Sequence, residues 1–115
     1  MASATLQVYR GEAFRVRLTL KNSVTGLPMN LTGYGYKMQF RIDENQDLLV
    51  EVSDTNGRAV LGGIAGTIDL TINGVDTKLF NEGVYTFDAF LRDPGSEYIF
   101  LFDGSLIVQE TRTNL

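Results

Sequence analysis

Asn81-Glu82-Gly83-Val84-Tyr85-Thr86-Phe87-Asp88-Ala89-Phe90-Leu91 reads as a polar turn that runs straight into a β-strand. Successive side chains of a strand alternate between faces. Tyr85, Phe87, Ala89 and Leu91 therefore point one way, and Val84, Thr86, Asp88 and Phe90 the other. Large apolar or aromatic groups stand on both sides, and we take this stretch as the central strand.

The spacing Asn-x-Gly-x-Tyr at 81–85 resembles the tyrosine corner of immunoglobulin-like sandwiches, where a Tyr opening strand F bonds its hydroxyl back to upstream backbone. Antibody domains carry a Cys two residues after that Tyr. Here the position is Phe87, so packing stands in for a disulfide. Gly83, Tyr85 and Phe87 are the expected structural anchors. A motif this short also fits a plain turn followed by an amphipathic strand.

Around this strand the chain falls into short alternating runs. Thr5–Tyr9 is a strand. Ala13–Lys21 is the clearest alternation, with Phe14, Val16, Leu18 and Leu20 inward. Residues 22–28 form a turn, and Met29–Gly33 a short edge piece. In Tyr34–Ile42, Tyr36, Met38, Phe40 and Ile42 share a face. Leu48–Val52 pairs back on that strand, and Asn56-Gly57 supplies a turn. Arg58–Leu61 is a short strand, followed by a glycine-rich link without the Lys-Ser/Thr of a phosphate loop. Thr67–Ile72 alternates again. Asn73 is placed to cap one helical turn over 75–80. Pro94-Gly95 suits a type II turn. Glu97–Val108 is the last long strand, with a kink or bulge expected at Asp103-Gly104.

Seven to nine strands, turns every eight to twelve residues and one helical turn predict an all-β fold, an antiparallel immunoglobulin-like β-sandwich. The 115 residues suit one domain. We expect it to span residues 1–115, with a loose polar arm at 1–4 and a polar tail at 109–115.

Composition removes several chemistries. The chain has no Cys and no His, so no Cys/His zinc site, disulfide framework or His-activated nucleophile can form. No supporting constellation surrounds a carboxylate pair such as Asp88 and Asp103, and no catalytic residue, metal or cofactor is expected. Asp43, Asn45 and Asp47 alternate as in a calcium loop, but the Gly and the later Glu are missing, so a solvated loop is the expectation. A net charge of −4, from 14 acidic and 10 basic residues, disfavours nucleic acid. No apolar run approaches the length of a membrane helix.

Two features point to protein contacts. The strands 84–91 and 98–102 carry more apolar surface than burial of one face requires. The surplus falls on Phe90, Ile99 and Leu101, or on Tyr98, Phe100 and Phe102, depending on register; its cover is a second protein or another part of this chain. Arg15, Arg17 and Lys21 share a strand face, either solvated or facing an acidic protein surface. If the apolar surplus self-associates, a two-fold homodimer is the default.

Arg10-Gly11-Glu12-x-Phe14, Gly26-x-Pro28-x-x-Leu31-Thr32-Gly33-Tyr34, Arg41, Gly66-Thr67-Ile68 and Gly83-x-Tyr85-x-Phe87-Asp88 together resemble small virion domains of tailed bacteriophages. The pattern, over about residues 8–112, is similar to the N-terminal domains of phage baseplate upper proteins and to related short phage proteins. The resemblance implies a non-enzymatic virion domain assembled in the host cytoplasm. From chain length, the first expectation is a capsid decoration or cement protein bound to the major capsid protein. The alternatives are a tail or baseplate adaptor, and a carbohydrate-binding module using Tyr34, Tyr36 or Tyr98.

Overall fold

The computed structural model describes residues 2–42 and 48–113. The calcium-like loop at 43–47 lies outside them. Among the described residues, eight strands form two sheets: β1 (Ala2–Tyr9), β2 (Phe14–Thr19), β3 (Gly35–Arg41), β4 (Leu48–Ser53), β5 (Ala59–Leu61), β6 (Thr67–Ile72), β7 (Gly83–Arg92) and β8 (Tyr98–Gln109). The larger sheet has the order β1-β8-β7-β3-β4, the smaller β2-β6-β5. The all-β sandwich expected from the strand pattern is therefore the fold, with β7 in the middle of the larger sheet.

Alternation decides which face of each strand is buried. Tyr36, Met38 and Phe40 of β3 are fully buried, and Phe87, Ala89 and Leu91 of β7 lie beside them. Phe14, Ile68, Leu70 and Ile72 close the core from the smaller sheet. Phe14 meets Phe40 edge-on at 6.2 Å between ring centres, Phe40 meets Phe87 at 5.2 Å, and Phe87 meets Phe102 at 5.6 Å. This line of rings ties the sheets together without a disulfide.

Several expectations need correction. Residues 2–4 are not a loose arm: they open β1, which runs parallel to β8 from Ala2 opposite Phe102 to Tyr9 opposite Gln109. The sandwich is thus mostly, not wholly, antiparallel. Gln109 closes β8 rather than starting a tail. Met29–Gly33 forms no strand; Leu31 instead plugs the core, its N–H bonded to the Gly63 carbonyl at 2.8 Å. Ile42 is exposed.

The helical turn α1 covers only Gly74–Thr77, and the Asn73 side chain makes no capping bond. Its anchor is Thr77, whose buried hydroxyl donates to the Glu12 carbonyl at 2.7 Å and accepts from the Gly11 N–H at 3.1 Å. The hairpin at Pro94-Gly95 is not type II, because positive φ falls on Ser96 (69°) and not on Gly95. The bulge in β8 lies at Leu101, between the pairs Ala89–Phe102 and Phe90–Phe100, and not at Asp103-Gly104.

Candidate functional site

The bulge sets the surface chemistry of the larger sheet. Below it, β8 alternates in step with β7: Phe102, Gly104 and Leu106 face the core, and Asp103 and Ser105 face out. The extra residue shifts the phase, so that Phe100 lies opposite Phe90 and Tyr98 opposite Arg92 on the outer face. Phe90 therefore stands between two rings, edge-on to Tyr98 at 6.4 Å and to Phe100 at 5.5 Å. A groove beside them is lined by Lys37, Gln39, Asp88, Phe90 and Tyr98.

Exposure grades this patch. Tyr98, Ile99 and Phe100 are 53, 41 and 36% exposed, and Phe90 is half-buried between them. Leu101 and Phe102 pack against the core instead. Ile99 lies opposite the buried Leu91, on the other face of the hairpin, and is itself open.

The rest of the outer face is polar. Asp88 and Asp103 face each other across β7 and β8. The Ser3 hydroxyl donates to Asp103 at 2.8 Å. Gln39 donates to Glu51 at 2.9 Å and accepts from Arg41 at 2.8 Å. That network and burial act in opposite directions on Glu51. The Gln39 hydrogen bond is the largest influence and holds the carboxyl below its ordinary range. Among the described residues, no group of three or more Asp or Glu side chains is placed to hold a metal ion.

The basic residues lie elsewhere. Arg15 and Arg17 are on the outer face of the smaller sheet, opposite Thr71 and Asp69 of β6. Arg17 is paired with Asp69 through two bonds, at 2.6 and 3.1 Å, and the hydrogen bond to Asp69 raises its guanidinium above the ordinary value. Lys21 lies past the end of β2, bridged to Pro28. Phe90, Tyr98 and Phe100 thus lie on the face of the sandwich opposite Arg15 and Arg17, and one flat partner surface cannot meet both. Of the tyrosines considered as sugar platforms, Tyr36 is fully buried, Tyr34 half-buried and Tyr98 open.

The anchor residues sit at the other end of β7. The Tyr85 hydroxyl donates to the Asn81 carbonyl at 2.6 Å, which closes the turn that enters the strand. Burial raises the Tyr85 phenol above its ordinary value. Phe87 is buried between the rings of Phe40 and Phe102.

No protein-family model matches the sequence. No curated protein matches it either. Among solved structures, the fold is similar to the N-terminal domain of phage TP901-1 ORF48, with a TM-score of 0.54 and 16% identity, over 92% of this chain and 85% of that one. At that identity the likeness concerns the fold.

Proposed function

We propose that this chain is a non-enzymatic structural domain of a tailed-phage virion, and that it works in the tail as an adaptor through protein–protein contacts. The observation that carries the reading is the fold likeness over 92% of the chain to an N-terminal domain of a phage protein. The sequence motifs, which resemble those of baseplate upper proteins, agree with it. The strand order also supports an immunoglobulin-like sandwich, since β2-β6-β5 packs against β8-β7-β3-β4 as strands B, E and D pack against G, F, C and C′.

In this reading the docking surface is the aromatic end of the larger sheet. Phe90, Tyr98 and Phe100 supply rigid apolar contact area at the centre, and Lys37 and Asp88 supply a polar rim. Arg15 and Arg17 face away from it, so any contact they make is with a different neighbour. Nothing in the fold favours capsid decoration, with the major capsid protein as partner, over this placement.

Quantitative mass spectrometry of purified particles, separated into heads and tails, tests the proposal. The expected result is a copy number set by tail symmetry, about six to eighteen per particle, and recovery with tails. Hundreds of copies recovered with heads would support capsid decoration instead.

A further inference from the structure

Strand β1 covers the outer edge of β8 only from Phe102 onward. On its other side, β8 is paired with β7 from Tyr98 onward. Residues 98–101 therefore present a sheet edge that no described strand covers. Soluble proteins ordinarily guard such edges with charge or proline. Tyr98-Ile99-Phe100-Leu101 has neither; its one protection is the bulge at Leu101, at the end of the segment next to β1. Its first three residues are 53, 41 and 36% exposed, with Tyr98 and Phe100 on one face and Ile99 on the other.

We infer that this edge pairs with the same edge of a second copy, antiparallel across a two-fold axis, joining two five-stranded sheets into one of ten. Opposite residues of an antiparallel pair point to the same face, so the axis must pass between a residue and its own mate. Centred on Phe100, the pairing would set Tyr98 against Phe102, whose edge β1 already holds. Centred on Ile99, the paired core is residues 98–100, which lie clear of the bulge at Leu101. Ile99 then meets Ile99 of the second copy, and Tyr98 meets Phe100 in both directions.

Charge fits the same register. Glu97 falls opposite Leu101, so no like charges oppose each other. On the outer face, Phe90, Tyr98 and Phe100 of the two copies form one band of six rings. The pairing leaves the ring faces open, so it enlarges the surface offered to a partner rather than hiding it. The inference rests on strand register and does not depend on the phage reading.

The chain has no cysteine, which makes the register directly testable. Directly opposite residues lie at a Cα separation suited to a disulfide. Under mild oxidation, Ile99→Cys is expected to give a cross-linked dimer, whereas Val84→Cys, exposed on the same sheet away from the edge, stays monomeric. By light scattering at about 100 µM, above any micromolar dissociation constant, the unmodified protein is expected to run as a dimer. Ile99→Lys, which sets two like charges face to face, should run as a monomer with unchanged circular dichroism. A monomeric unmodified protein, a dimer that survives Ile99→Lys, or equal cross-linking of both cysteine variants would overturn the inference.

Discussion

Gly104 lies against the backbone of Ala4, so close that a β-carbon at 104 would overlap the Ala4 carbonyl oxygen. Parallel strand β1 reaches β8 only because that side chain is missing. We expect Gly104→Ala to push β1 away, uncover Leu6 and Val8, and cost about 1–3 kcal/mol. Urea melts of the two proteins check this. An unchanged midpoint would mean that β1 adjusts without losing its packing.

Tyr85→Phe removes the hydroxyl that closes the turn onto Asn81 and leaves that carbonyl without its partner. The expected cost is about 1–2 kcal/mol. Phe87→Ala opens a cavity between Phe40 and Phe102 and is expected to cost about 3–5 kcal/mol. Denaturant unfolding of both variants should give that order, and the reverse order would remove Phe87 from the centre of the core.

Tyr36 is fully buried, and its hydroxyl donates to the Met38 sulfur at 3.8 Å. Burial pushes the phenol far above its ordinary value. Below about pH 10 the phenol is neutral in both states and its contribution is fully present. Above that pH the unfolded chain ionises while the native one does not, and stability is lost as pH rises towards the native value. Tyr36→Phe is therefore expected to change stability at pH 7 by less than about 1 kcal/mol and to flatten the alkaline loss. Urea midpoints at neutral pH and at about pH 10.5 measure the difference.

Asp54, the residue after β4, ties β3 to β7. Its carboxylate accepts from the Tyr36 N–H at 3.1 Å and from Arg92 at 3.0 Å. Burial pushes the carboxyl up, but these bonds outweigh it and hold the group below its ordinary value. The stability it contributes is present above about pH 4 and is lost as pH falls through the native value. Asp54→Asn should melt lower than the parent at pH 7, with the gap closing in acid. A gap that stays constant would show that the charge on Asp54 is not what matters.

Strands whose burial follows a clean alternation were legible in the sequence. Phe14 with Val16 and Leu18, or Ile68 with Leu70 and Ile72, admit only one inward face. Strand β1 begins earlier than the sequence suggests, because Ala2-Ser3-Ala4 has weak strand character of its own and is held by a partner 100 residues away. Gly104 marks a close backbone approach, which in sequence looks the same as a bulge. The candidate site was legible as an apolar surplus but not as a surface. Strict alternation puts Tyr98, Phe100 and Phe102 on one face, whereas the bulge at Leu101 turns Phe102 inward and brings Tyr98 and Phe100 beside Phe90.

Under the proposed function, the aromatic end of the larger sheet attaches this domain to other virion proteins. That attachment is tested by supplying variants to particles that lack the protein and counting the copies retained in purified tails. Tyr98→Lys with Phe100→Lys replaces two exposed rings by charge and is expected to abolish retention while leaving the circular dichroism unchanged. Arg15→Glu, on the opposite face, is expected to leave retention intact. Full retention of the double variant, or equal loss with Arg15→Glu, would show that the aromatic end is not the attachment surface.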